Sequence, residues 1–477
     1  MEAKDAIIFE LRKEIEELKK IIIELRKEIA ELRKENAELK QKNASLQEQL
    51  SLNSQNSSKP PSSDRFPPKK DKKNSNKVRP KRQGFARKWF SKEEVNQTIQ
   101  YLPEKCDKCG GNDFCSKNKI IEARQVVELP PIKPFITEHQ AMACRCANCG
   151  KQVRASFPPH VISSVFGPQI KALSSLLSGK FHLSKRNIKE LFSTFFSIDI
   201  SLGSIINVEH QAAIFLSQPY EEALNILRKS DTVYADETGW KTKKETRWLW
   251  QVSDKNIVIF KIFASRGKKA FQALFGKECI QNLVTDRFRV YSTYGFHQYC
   301  WAHLKRDFKR VEQRPGLVST IGKLMGSLCS LLFKWSHQKE DGELSEEKFT
   351  QNAKSLKEEF HYLFKLGLRA DTQDQKLGKT GRFCERILED EEKLWAFTEE
   401  SSLDLTNNLS ERNLRPAVIW RKISFGNKSG KGERFVERIM SVVETLKLQK
   451  RNIFHYLTSC FQAKNYFQPI PSFVCIN

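Results

Sequence analysis

Three acidic residues stand in settings that suit metal-dependent chemistry. Asp236 closes the run Thr232-Val233-Tyr234-Ala235-Asp236, and Asp286 closes Asn282-Leu283-Val284-Thr285-Asp286. Both runs are β-rich and end in a carboxylate. Glu411 lies in Asn407-Asn408-Leu409-Ser410-Glu411-Arg412-Asn413-Leu414-Arg415-Pro416, where Glu411 and Arg415 share a helix face and Asn408 precedes them by a turn. Carboxylates placed side by side repel unless protonated or bridged by a cation. Mg²⁺ or Mn²⁺ answers that need, because both take oxygen ligands. Arg412, Arg415, Arg421 and Lys422 are the cations placed to hold phosphates. Glu237 adjoins Asp236 but points to the other side of a strand, so it is not expected as a ligand. Cys300 and His303 offer half a metal site, which favours a structural or substrate-positioning role. Tyr291, Tyr294 and Trp301 are candidates for stacking on splayed bases or, more simply, for core.

Two further motifs suit a different metal. Cys106-Asp107-Lys108-Cys109-Gly110 and Cys146-Ala147-Asn148-Cys149-Gly150 are both C-x-x-C-G. Two such knuckles supply four thiolates in the tetrahedral set a structural Zn²⁺ takes. The glycine after each second cysteine allows the turn. The chain between them reads as short strands with a proline-marked turn, the layout of a zinc ribbon. Cys115 and Cys144 are near enough in sequence to compete as ligands. A redox C-x-x-C fits two copies poorly.

The elements that must position these groups follow from pattern. From residue 232 the order is three strands, a helix, a strand ending at Asp286, a short basic-aromatic turn, a strand at His297–Trp301 and a helix at Ala302–Val311. The first three strands can form an antiparallel meander, and the later ones need crossovers. That order matches a ribonuclease-H-like α/β fold, in which the ends of strands one and four lie side by side and Asp236 meets Asp286. Upstream, residues 163–216 read as three short helices with Ser184 and Ser201 as N-caps. They suggest a helix-turn-helix with Lys185, Arg186 and Lys189 on phosphates, or else a packing module.

The N-terminus carries a sharp heptad. Leu11, Leu18, Leu25, Leu32, Leu39 and Leu46 occupy one seam position, and Ile8, Ile15, Ile22, Ile29, Asn36, Asn43 and Leu50 the other. Ile at a with Leu at d favours a parallel two-stranded coiled coil, and a buried Asn fixes its register. A single amphipathic helix packed on the body is the plainer alternative. Residues 59–88 then carry 12 Lys/Arg against 2 acids. Rich also in Ser, Asn and Pro, this segment cannot fold alone and serves as a phosphate-binding arm, a solvated linker, or both.

The chain of 477 residues has a formal net charge of +25, which points to a polyanionic partner. The sequence shows no apolar run of about 20 residues, so no membrane span is expected. Charges run throughout the first residues, unlike a signal peptide. A cytoplasmic, multidomain, DNA-associated protein is expected. Its parts are a zipper at 1–52, a basic linker at 53–95, a zinc ribbon at 96–160 and a helical DNA-binding region at 161–228. The catalytic core follows at 229–311 and 401–477, split by a helical insertion at 312–400.

The zipper, the SSKPPSSD arm, the twin C-x-x-C-G, ADET, VTDRFRVY, CWAHLKRDF and NNLSERNLRP followed by RKISFG resemble the insertion-sequence sixty-six family of bacterial transposases, in order over nearly the whole chain. The resemblance implies a DDE catalytic triad of Asp236, Asp286 and Glu411. It implies two Mg²⁺ (or Mn²⁺) ions that assist in-line displacement at phosphorus. It implies action on double-stranded element ends and target DNA, first by strand hydrolysis and then by joining. It also implies a helical insertion before the Glu. A homodimer through residues 1–52, accessory proteins of the same element, and no membrane partner complete the expectation. A zinc-containing dimeric DNA-binding regulator would share the zipper, ribbon and helical region without needing three ordered acids. A non-transposing nuclease of the same fold would need them.

Overall fold

The structure, a computed structural model, describes residues 2–52, 89–114, 120–161, 164–276, 282–291, 294, 296–373 and 376–474. The basic arm at 59–88 and Cys115 lie outside the described residues. The chain divides into a larger unit, Met1–Pro67 with His139–Lys189 and Ile200–Asn477, and a smaller one, Pro68–Glu138 with Glu190–Asp199. In the smaller unit a 3₁₀ turn at Lys92–Glu94 is closed by a Ser91/Glu94 capping box. The Gln125 side chain there bonds the Phe90 backbone both ways, at 2.8 and 3.0 Å. The first knuckle turns through Gly110 N–H to Cys106 O (2.8 Å), with Gly110 at φ +71°.

The larger unit opens with α1 (Glu2–Ser51), one uninterrupted helix of helix-forming residues without Gly or Pro. Its seam leucines Leu18, Leu25, Leu32, Leu39 and Leu46 are 50–60% exposed. Strands β1 (Ala143–Arg145) and β2 (Gln152–Arg154) form a hairpin around the second knuckle. The short strands expected between the knuckles reduce to β1 alone among the described residues. Pro130, Pro131 and Pro134 remove the ladder donors there.

Helices α2 (Pro168–Gly179), α3 (Lys185–Phe196), α4 (Leu202–Phe215) and α5 (Ser217–Leu227) follow. The two expected caps act as such: Ser184 Oγ accepts from Asn187 N–H (3.2 Å) and Ser201 Oγ from Ser204 N–H (3.0 Å). The fourth helix, α5, was not expected; it is separated from α4 by Leu216 alone.

Five strands make the central sheet: β3 (Thr232–Thr242), β4 (Glu245–Ser253), β5 (Val258–Phe263), β6 (Asn282–Thr285) and β7 (Phe296–Tyr299). Helix α6 (Lys268–Phe275) connects β5 to β6, and α7 (Trp301–Glu312) follows β7. The order is β5-β4-β3-β6-β7, with β3, β4 and β5 antiparallel and β6 and β7 parallel to β3. The antiparallel meander of β3, β4 and β5 and the crossover-linked later strands are as the element order predicts. One difference bears on the site. β3 does not end at Asp236 but runs on to Thr242 against β4, while its pairing with β6 stops at Tyr234.

Strand alternation gives the sheet two buried faces. Val233, Ala235, Trp250, Val252 and Leu283 share one face and enter a core that also includes residues of α2, α4, α5 and the C-terminal helices. Tyr234 and Val284 enter a second core on the other face. That second core is filled by α7 and the insertion: α8 (Leu317–Glu340), α9 (Glu346–Ala370), α10 (Lys379–Glu389) and α11 (Glu392–Trp395). The insertion is helical as expected, except for a two-residue ladder between β8 (Thr372–Gln373) and β9 (Lys376–Leu377). Among the described residues α8 alone is long and apolar enough to cross a membrane by length and composition. Its Ile321, Met325, Cys329 and Leu332 are instead buried in this core. The chain closes with α12 (Asn408–Ser424), α13 (Gly430–Leu448) and α14 (Ile453–Asn465). Between α12 and α13, Asn427 N–H donates to Lys241 O (2.8 Å), and Lys243 N–H to Asn427 O (3.0 Å). A Cβ on Gly426 would lie 2.1 Å from Lys241 O, which is why the RKISFG run needs its glycine.

Candidate active site and metal-binding motifs

Asp236 and Asp286 come together as expected. Tyr234 pairs with Val284 on parallel neighbours, so the residues two further on are level and share a face. Both are half-buried. Burial holds the Asp236 carboxyl well above the usual range, and the carboxylates of Glu237, Asp286 and Glu411 push the same way. Burial also raises Asp286, against Phe288 N–H (3.0 Å from Oδ1) and the charges of Arg266 and Arg287.

Glu411 reaches this corner because the segment before α12 is tied down at four points. Tyr234 Oη donates to Asp404 Oδ2 (2.6 Å), and Trp301 N–H to Leu405 O (3.0 Å). Asn407 N–H donates to Cys300 Sγ (3.2 Å), and Asn407 Nδ2 to Ala235 O (2.8 Å). One turn on, Ser410 Oγ donates to Gln251, the residue directly across the ladder from Asp236. The Glu411 carboxylate sits 3.2 Å from Arg306 and 3.5 Å from His303 Nε2. Burial and the neighbouring Arg306 and Arg287 push His303 down to about 4, so it is neutral near pH 7.

Cys300, His303 and Glu411 have ligand atoms within 4.8 Å of one another, the one such group of three among the described residues. Sequence spacing sees Cys300 and His303 as half a site because Glu411 joins them only in the fold. The thiol is buried and raised to about 11, and it already accepts from Asn407. The pair was expected in a structural or substrate-positioning role; in the fold Cys300 holds Asn407 and His303 lies beside Glu411. Asn407 and Arg306 were not singled out from the sequence. Arg306 lies one turn after His303 on α7, and that spacing was the available signal.

Glu237 faces away from Asp236 along the strand, as expected. It accepts from Arg266 at 2.5 and 2.8 Å and from Tyr291. The Arg266 guanidinium lies 4.0 Å from the Phe288 ring centroid and 4.9 Å from that of Trp248. Tyr291, Tyr294 and Trp301 are buried core.

The expected phosphate contacts separate into two groups. Lys185 pairs with the buried Glu209 and donates to Ser178 Oγ (3.0 Å), so its charge is spent inside the helical region. Arg421 donates to Thr238 Oγ1 (3.1 Å) and Gly239 O, which makes it a brace between α12 and β3. Arg186, Lys189, Arg412, Arg415 and Lys422 are exposed. On α4, the expected recognition helix, Ile205, Val208 and Ala212 are buried, leaving Ile206 and Ile214 outward. Arg412 and Arg415 border a cavity of about 670 Å³ that also contains Glu411 and Asn408; neither aspartate lines it.

Residues 163–434 match the Transposase IS66 family. The chain belongs to this family. Residues 103–150 match the zinc-finger binding domain of transposase IS66, so both C-x-x-C-G knuckles of the transposase fall in a zinc-binding domain. Residues 5–94, the zipper and arm, match a Family of unknown function (DUF6444). No curated protein matches the chain. The transposase of an insertion sequence is a DNA-processing enzyme, and its family implies divalent metal use.

Proposed function

We propose that this transposase cuts and joins DNA at a DDE site made of Asp236, Asp286 and Glu411, on a ribonuclease-H-like core. One observation carries the reading. Asp236 and Asp286 follow the paired residues Tyr234 and Val284 on adjacent parallel strands, and the Asp236 carboxyl is raised by burial and by the charges of Glu237, Asp286 and, more weakly, Glu411 from α12. An all-oxygen donor set under that repulsion fits two Mg²⁺ or Mn²⁺ ions. When bound, such ions supply Lewis-acid stabilisation of charge at the reacting phosphorus. The protein's own part is positional. The ties from Asn407, Asp404 and Leu405 hold Glu411 against the sheet. Arg412, Arg415 and Lys422 attract phosphates, and Arg306 with neutral His303 orients Glu411.

Four thiolates, Cys106, Cys109, Cys146 and Cys149, hold one structural Zn²⁺ in this reading. The heptad seam of α1 pairs two copies, which suits bringing two element ends together. Both partner DNAs are double-stranded, and the protein works in the bacterial cytoplasm.

The test is nicking and joining of DNA carrying the ends of the parent element, with Mg²⁺ and full-length protein. Asp236→Asn, Asp286→Asn and Glu411→Gln should each abolish both steps while end binding survives. Joining at the normal rate by Asp286→Asn would overturn the triad.

A further inference from the structure

A second groove lies across α12 from Glu411, with a volume of about 340 Å³. Its floor is apolar: His182 stacks on Trp420 at 4.8 Å between centroids, and burial lowers the His182 pKa. Its rim alternates cations with exposed apolar surface. Lys180, Lys447, Arg412 and Arg415 are its cations. Phe181 is 54% exposed and Ile419 45%. Lys180 Nζ lies 5.4 Å from the Phe181 ring centroid. Glu444, the one carboxylate in the lining, is paired with Lys447 (3.2 Å), which leaves the groove positive. Arg412 and Arg415 line both this groove and the cavity holding Glu411, so the two adjoin along about 4.5 Å of α12.

At about 340 Å³ the groove is small beside a duplex, whose major groove alone is about 12 Å wide. Cations tracking a backbone, with an exposed ring for a base, are the elements of an unpaired-strand site. We propose that this groove holds an unpaired DNA strand passing to or from the catalytic corner, with a base stacked on Phe181 and phosphates on Lys180, Arg412, Arg415 and Lys447. The proposal deepens the DNA-cutting reading and rests on it for the strand's destination.

Full-length protein would be titrated without divalent metal against a fluorescein-labelled oligothymidylate of about 15 nucleotides and a blunt duplex of equal length. Phe181→Ala should weaken oligothymidylate binding about tenfold and leave the duplex within about twofold. Lys180→Ala/Lys447→Ala should act in the same direction and reduce the salt dependence of oligothymidylate binding. Photocrosslinking of oligonucleotides carrying 4-thiothymidine should label the peptide containing Phe181. Equal loss on both DNAs, no loss on either, or crosslinks confined to other peptides would overturn the proposal. Because no metal is present and no carboxylate is altered, failure of the DDE triad would leave this result unchanged.

Discussion

The side-chain amide of Asn407 donates to the carbonyl oxygen of Ala235 at 2.8 Å. Asn407 is the residue before α12, yet its side chain does not cap that helix. It instead fixes the helix start to the strand one residue before Asp236, and so sets where Glu411 stands relative to that carboxylate. Asn407→Ala removes the donor and leaves a buried carbonyl unpaired. A stability loss of about 1–2 kcal/mol is expected. Strand joining should slow about tenfold to a hundredfold, because small displacements of catalytic groups are costly. Affinity for end DNA should stay within about twofold. A loss of affinity as large as the loss of rate would show a general folding defect rather than a positioning role.

His297 gives a pH prediction outside the carboxylate cluster. It is buried in β7, its Nε2 is 2.8 Å from Thr285 Oγ1, and burial, helped by Lys393, pushes its pKa from 6.5 to about 3. The folded-state value is lowered, so between these two values the unfolded chain binds the extra proton. The contribution of His297 is therefore full above about pH 6.5 and is lost as pH falls towards 3, at up to about 1.4 kcal/mol per pH unit. Denaturant unfolding from pH 7 to pH 4 should show a steeper decline for the native protein than for His297→Gln. Parallel curves would remove His297 as the cause.

The sheet was legible in the sequence because its strands are β-rich runs, although β3 runs six residues past Asp236 to Thr242. Asp236 and Asp286 could be placed together from element order alone. What sequence could not reach was anything set by contacts between distant segments. Glu411 joins Cys300 and His303 across a separation of more than a hundred residues, and no spacing rule spans that gap. Lys185 looked free for phosphate because its partner Glu209 lies on another helix. Arg421 looked free because its acceptors are on β3. Charged residues read from sequence alone default to the surface, whereas two of these cations brace the fold. The strands expected between the knuckles failed for a local reason, three prolines in the intervening stretch.

The zinc prediction concerns the family-matched residues 103–150. Each knuckle turns back on itself, with Gly110 N–H on Cys106 O (2.8 Å) and Gly150 N–H on Cys146 O (2.9 Å). Backbone N–H groups of residues 108–109 and 148–149 hold the Cys106 and Cys146 thiols below their usual range, the state a metal ligand needs. Elemental analysis should find one zinc per chain in the purified protein. Cys106→Ser/Cys149→Ser should lose it and become sensitive to proteolysis between residues 96 and 160. Full zinc content in that variant would exclude the four-cysteine site.

The exposed seam of α1 gives the last prediction. Five leucines at heptad spacing, each 50% exposed or more, form an apolar stripe with no cover from the rest of the described chain. An isolated helix of this kind gains its stability by pairing, since burying each leucine contributes about 1.5–3 kcal/mol. Asn36 and Asn43 in the other seam position favour two strands in register over higher assemblies. Light scattering should therefore give a dimer at micromolar concentration. Leu25→Lys/Leu32→Lys places four charges in the seam of a dimer and should convert it to monomer. Because these leucines are not covered by the rest of the described chain, the unfolding midpoint of the remainder should be unchanged, and the variant should nick single ends while losing joined products that need two. A monomeric native protein, or a variant that remains dimeric, would remove the zipper as the pairing device.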